Sequence, residues 1–281
     1  MIRKLLKYDF KEMMRFWLIA AITTAVLSVI GCGCANVVSC YQKYPEAIII
    51  LSWIFLAIVG LSYLAFSIVA IIIVFARFYK NLFTDEGYLT FTLPIKKITV
   101  LNSKIISGFS ILFATSAVIF AEICLILHFV IIGGSPSDSS TGAIGIRIIW
   151  ELINALVVDG YELAFSINAL LVFLTSIAAT LFKLLFIYVC ITIGSIVAKK
   201  AKVAFAIAFY YIASSSFGTL MGILYTMVVP FLVERTTQIS KGAGIAVGVL
   251  IFSAVFLTVL LGCAFCYAFL NKAIDRKLNL A

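Results

Sequence analysis

Long unbroken apolar runs separated by short polar stretches dominate this chain. Six of them, Phe16 to Val38, Ala47 to Phe75, Ile105 to Ile132, Leu163 to Ala198, Val203 to Val229 and Ile245 to Leu270, are long enough to matter. A hydrocarbon core of about 30 Å takes about 20 helical residues to cross, and it holds no water to pair exposed amides, so each run predicts a membrane-spanning helix. What remains is a basic amino-terminal segment, a polar insert from Ala76 to Lys104, an outer loop from Gly133 to Glu162 and three short connections. No stretch is left for a soluble domain. The expected fold is all-α, a polytopic membrane protein whose residues 1–281 form one transmembrane domain of six helices with an amino-terminal interfacial amphipathic helix.

Residues 1–15 carry that amphipathic pattern. At about 100° per residue, Lys4, Lys7, Lys11 and Arg15 share one arc while Ile2, Leu6, Met13, Phe16 and Trp17 face the other way. This predicts a helix lying in the membrane interface, with a plain positive-inside anchor as the alternative. Asp9 falls on the apolar side and points to a protein contact there. The apolar stretch ending in Val29-Ile30-Gly31-Cys32 resembles a lipoprotein signal, but the charged region before it is long and contains Asp9 and Glu12. The first run therefore reads as a retained helix.

Composition sharpens the class. With 64% hydrophobic and 12% charged residues, the chain cannot clothe a water-facing surface in mixed charge. The net charge of +9 sits at helix flanks rather than on one face of a soluble domain, which argues against nucleic acid and for anionic lipid as its partner. Sixteen of the 21 Lys and Arg fall on one side when both termini are placed in the cytoplasm, at residues 3–15, 77–104, 199–202 and 272–277. Lys43, Arg147, Arg235 and Lys241 fall outside, and Lys183 lies within the fourth run. The positive-inside rule thus predicts that both termini are cytoplasmic.

Seven cysteines and a single histidine, His128, give no metal-site spacing, so no metal is expected. Cys32, Cys34 and Cys40 lie near the outer end of the first helix, where an oxidising compartment permits a disulfide; the sequence leaves their state open. Cys124, Cys190, Cys263 and Cys266 read as small hydrophobes at lipid depth.

The most informative stretch is Phe78-Tyr79-Lys80-Asn81-Leu82-Phe83-Thr84-Asp85-Glu86-Gly87-Tyr88-Leu89-Thr90-Phe91-Thr92-Leu93-Pro94. Leu82, Phe83, Tyr88, Leu89, Phe91 and Leu93 are too many apolar groups to leave in the cytoplasm, so the segment is expected to pack against something. Thr84 can cap a short helix with Asp85 and Glu86 in its first turn, and Pro94 would stop it. Together with the amphipathic start, the six-helix count and the inward termini, this stretch resembles the permease subunits of ABC type-two exporters, notably the six-helix permeases of Gram-positive bacteria. The resemblance implies that residues 76–104 form a cytoplasmic coupling segment. Phe83, Thr84, Asp85, Glu86, Gly87, Tyr88, Leu89 and Phe91 would dock on an ABC ATPase subunit, and a second permease would complete the path as a homo- or heterodimer. A loop folded back on its own helices is the alternative. The family's outer hairpin between the fifth and sixth helices is not matched: only Pro230 to Gly244 is available there, and the longer outer element, Ile146 to Val158, follows the third helix instead.

The chain has no Gly-x-x-x-x-Gly-Lys-Ser/Thr loop, so no catalytic residue and no cofactor is expected on it, and ATP with its magnesium belongs to the partner chain. Within the membrane, Glu122 and Lys183 are the ionisable residues most costly to bury, and they are candidates to pair or to line the substrate path. Counted from its outer end, Lys183 instead reaches the inner interface and snorkels. Tyr210, Tyr211, Ser214, Ser215, Ser216 and Thr219 interrupt the fifth run, followed by Gly218-x-x-x-Gly222. Of these, Tyr211, Ser214, Ser215 and Thr219 are expected to serve helix packing or the substrate path. An ATP-independent transporter or channel and a structural membrane subunit remain as rival readings. An intramembrane enzyme is disfavoured by the lack of a hydrolytic motif, and a secondary transporter by the lack of an internal repeat.

Overall fold

A computed structural model describes residues 2–40, 44–83, 97–133, 162–197, 203–216, 218–219 and 241–277. They form α1 (Ile2–Ser39), α2 (Glu46–Phe83), α3 (Lys97–Gly133), α4 (Glu162–Val197), α5 (Val203–Ser216) and α6 (Lys241–Lys277), with no strand among the described residues. Five of the six, all but α5, are long and apolar enough to cross a membrane, and the chain is a multi-pass membrane protein. Of the fifth apolar run, Val203 to Val229, α5 covers 14 residues; 217 and 220–229 lie outside the described residues.

The five long helices have 36 to 38 residues. At 1.5 Å per residue each is roughly 54–57 Å long, against a hydrocarbon core of about 30 Å. Even a tilt of about 40° leaves a turn or more outside the hydrocarbon. This corrects two boundaries. The insert expected from Ala76 to Lys104 is helical at both ends, as α2 runs on to Phe83 and α3 starts at Lys97. Nothing from Ala76 to Phe83 breaks the i→i−4 ladder, since Arg, Lys, Asn and Phe are all tolerated in a helix interior. Likewise, residues 2–15 and the first span are one uninterrupted helix rather than a separate in-plane piece, because no Gly or Pro interrupts the chain before Gly31.

Two compact units are present. One comprises residues 6–74 and 110–155, and the other residues 1–5, 75–109 and 156–281. In the first, α1 turns a stripe at helical spacing inward: Asp9, Met13, Trp17, Thr24, Ser28, Cys32 and Ala35 are buried, while Tyr8 and Phe16 are exposed. Asp9, expected to face a protein partner, is thus packed within this chain. Along α2, Ser52, Val59 and Phe66 recur at seven-residue spacing, the 3.5-residue seam of a left-handed helix pair. Exposed apolar side chains such as Ile19, Ile22, Ile54, Leu61, Leu64 and Phe120 clothe the outside, as lipid-facing positions should.

The second unit is built on α4 and α6. Gly262 lies under the Phe182 ring, Cys263 donates its thiol to the Ala178 carbonyl at 3.7 Å, and Cys266 is buried; small residues on α6 let α4 approach closely. Gly194 does the same for α5: a Cβ there would come within 2.8 Å of the Ala206 Cβ and 3.0 Å of its backbone, so any side chain would force α5 away. All seven cysteines are free thiols.

Candidate functional site

Two sites combine polar chemistry with close packing. The first lies in the α4-based unit, at the helix ends flanking residues 84–96. Phe78 of α2 stacks on Tyr188 of α4, with ring centroids 3.7 Å apart and planes 8° from parallel. The Tyr188 hydroxyl donates to the Lys104 carbonyl of α3 at 3.0 Å. One side chain thereby ties three helices together. Nearby on α3, the Asn102 side-chain oxygen accepts from the Tyr267 hydroxyl of α6 at 3.0 Å. Phe78, Asn81, Leu101, Ser103, Lys104, Tyr188 and Ile191 are all at most 5% exposed. On α4 burial extends round most of the helix from Leu184 to Thr192, so this end of the unit is a dense core rather than a lipid-facing bundle. Lys104, counted among the cytoplasmic flank charges, is one of these buried groups.

The second site lies in the α1-based unit, at membrane depth. Three layers stack along α1, α2 and α3. In the innermost, the Trp17 indole N–H donates to Thr115 Oγ1 at 2.8 Å and its ring meets Phe66 at 6.0 Å. In the outermost, Gly31 packs against Val59 and Ile126, with 3.2 Å from its would-be Cβ to a Val59 methyl. Between them sit Thr24 and Ser28 of α1, Tyr63 of α2 and Glu122 of α3. The Thr24 hydroxyl lies 3.4 Å from Glu122 Oε1, and Glu122 is 5% exposed. Tyr63 is within electrostatic reach of Glu122 and Cys32, and its hydroxyl lies beside Ser28 without a hydrogen bond of good geometry. Glu122 Oε2 has no hydrogen-bond partner among the described residues. A carboxyl this buried and this incompletely paired makes Glu122 a candidate functional position.

The residues expected from sequence fall unevenly. Glu122 is in the layered core. Lys183 belongs to the other unit and is exposed on α4, flanked by buried Leu184 and Leu185. On α4 it lies 14 residues, about 21 Å of helix, before Val197 and 21 residues after Glu162. Tyr211, Ser215 and Thr219 are exposed and Ser214 half-buried on α5 and just beyond it; each hydroxyl of Ser214, Ser215 and Thr219 donates to a carbonyl three residues back. Phe83 ends α2, and Thr84, Asp85, Glu86, Gly87, Tyr88, Leu89 and Phe91 lie outside the described residues, as do Pro230 to residue 240 and the Ile146 to Val158 element. His128 sits edge-on to Phe129. Among the described residues no group of His, Cys, Asp and Glu is arranged to hold a metal.

Sequence reasoning missed Thr24, Ser28 and Tyr63 around Glu122, and Phe78, Tyr188, Asn102 and Tyr267 at the other site. The available signal was a hydroxyl pair four residues apart, Thr24 and Ser28, followed by Cys32 on the same face of an otherwise apolar helix. Compared with family models, curated proteins and solved structures, the chain matches none.

Proposed function

We propose that this chain is the membrane-spanning permease subunit of an ATP-binding-cassette exporter, working with a second permease and separate ATPase subunits. The observation that carries the reading is the Tyr188 node. The α2 and α3 ends that flank residues 84–96 are locked onto α4 by a ring stack and a buried hydrogen bond, so a push on that connection moves the α4-based unit as one body. A loop with no mechanical task needs no such anchorage. Lys183 and the exposed hydroxyls of α5 support the same assignment: a lysine exposed within a long apolar helix suits a second chain or a water-filled path against it. In this reading the run Val203 to Val229 supplies the sixth crossing, Lys4, Lys7, Lys11 and Arg15 meet anionic headgroups, and both termini are cytoplasmic. No cofactor binds here; ATP and magnesium sit on the partner.

Purification of the tagged full chain in mild detergent is expected to retain a P-loop ATPase and ATP hydrolysis; recovery of a homogeneous, active chain without one would favour an ATP-independent channel or a structural subunit. Orientation is checked separately. A cysteine at Thr90 is expected to resist an impermeant thiol reagent applied to intact cells, while Cys34 or Cys40, kept as single cysteines, react. Labelling at position 90 from outside would invert the topology and remove the coupling assignment.

A further inference from the structure

The middle layer of the α1-based unit is short of hydrogen-bond donors. Thr24 has one hydroxyl proton and three acceptors in reach, the carbonyls of Ala21 at 3.0 Å and Ala20 at 3.3 Å and Glu122 Oε1 at 3.4 Å. The carboxylate contact is the longest, beyond the roughly 2.5–3.0 Å of a made O–H···O bond. The Ser28 proton is committed to the Ala25 carbonyl at 2.8 Å. The Thr24 hydroxyl therefore turns a lone pair toward the carboxyl, and Ser28 has no proton to spare for the Tyr63 hydroxyl beside it. An ionised carboxylate only accepts, so it would face an acceptor from α1, and the Tyr63 hydroxyl, itself without a hydrogen-bond partner among the described residues, makes no bond to it. The described residues give Glu122 no ion pair; the titratable group within electrostatic reach of it is Tyr63 from α2, which Cys32 from α1 reaches in turn.

Size decides what completes the site. Glu122 Oε2 and the Tyr63 hydroxyl are both sealed from solvent. On one side Gly31 is pressed onto Val59 and Ile126, and on the other Trp17, Phe66 and Thr115 close the core. A metal ion needs several oxygens opened to it at coordination distance, and the sealed layer leaves no room for one beside Oε2. The missing donor has to bring no volume.

We propose that Glu122 is a proton-binding site. The proton rides on Oε1 and faces Thr24 Oγ1, its nearest acceptor at 3.4 Å, whose own proton points to the Ala21 carbonyl. Because the layers above and below exclude water, the proton exchanges with solvent only when α1 parts from α3. The site thus ties proton release to opening of this unit, and it stands whether or not an ATPase drives the chain.

Infrared absorption of the purified full chain in lipid nanodiscs tests this at neutral pH, by subtracting the spectrum of Glu122→Gln from that of wild type. A carbonyl band of a protonated carboxyl is expected in the difference, moving to higher wavenumber in Thr24→Val, where the acceptor is gone, and shifting only slowly in heavy water. Carboxylate bands in its place would overturn the proposal. So would carboxylate bands that change when sodium is exchanged for choline, an outcome that would make the layer a cation site instead. Thermal unfolding gives a second, independent readout. The glutamine amide carries a permanent N–H donor, so Glu122→Gln is expected to melt no lower than wild type while Glu122→Ala melts lower. A glutamine variant as unstable as the alanine one would also sink the idea.

Discussion

If the chain is an exporter permease as proposed, the Tyr88→Ala/Leu89→Ala double variant is expected to insert normally and to lose the partner ATPase. Both side chains lie in the connection between α2 and α3, in a stretch with Phe83 and Phe91 that is too apolar to remain in water. Burying a side chain of this size is worth about 1.5–3 kcal/mol, so removing two from a docked surface costs on the order of 3–5 kcal/mol, a hundredfold or more in affinity. Insertion is governed by apolar runs and flanking charge, which the variant leaves intact. The measurement is ATPase retained per permease after purification, together with transport-coupled hydrolysis, compared with Ser215→Ala, which should retain its ATPase as wild type does. If the double variant keeps its ATPase and its hydrolysis rate, the segment is packed on its own helices.

Tyr188→Ala is the second large effect, and Tyr188→Phe is its internal control. The alanine variant loses the stack on Phe78 and the bond to the Lys104 carbonyl and leaves a cavity in a core where Tyr188 is 2% exposed. Large-to-alanine changes of aromatic core residues cost about 3–5 kcal/mol, whereas the phenylalanine variant keeps the stack and forfeits one hydrogen bond, about 1 kcal/mol. Thermal unfolding in detergent separates the two, and the coupling reading adds a functional difference: the phenylalanine variant should stay coupled, and the alanine variant should hydrolyse ATP with little transport. Equal stability of the two would mean the ring stack contributes nothing.

Much of this architecture was legible because lipid imposes a harsh rule on the backbone. Apolar runs near 20 residues have few alternatives to helix, and five of the six predicted runs are membrane-length helices. The lengths were not legible. Hydropathy marks where hydrocarbon ends, not where hydrogen bonding ends, so α2 and α3 run past Phe75 and back before Ile105 without a signal in composition. Partnerships were harder still. Glu122 stood out as an acid in an apolar run, but its neighbours Thr24 and Tyr63 come from helices 98 and 59 positions away in sequence, and no local pattern links them. Lys104 looked like one more flank charge until packing buried it. Lys183 was ambiguous because its depth depended on which helix end was counted, and on α4 it stands 21 residues after Glu162 and 14 before Val197.

The indole of Trp17 also makes the chain its own optical instrument. It is one of three tryptophans; Trp53 is exposed on α2, and Trp150 lies outside the described residues. Buried beside Phe66 and bonded to Thr115, Trp17 sits about two helical turns from Thr24 on the same helix. Indole emission depends on the polarity around the ring and on the bond its N–H makes, so a chain carrying Phe at positions 53 and 150 would fluoresce from this one layer alone. Entry of water between α1 and α3 would register as a change of colour, in real time and with no label attached.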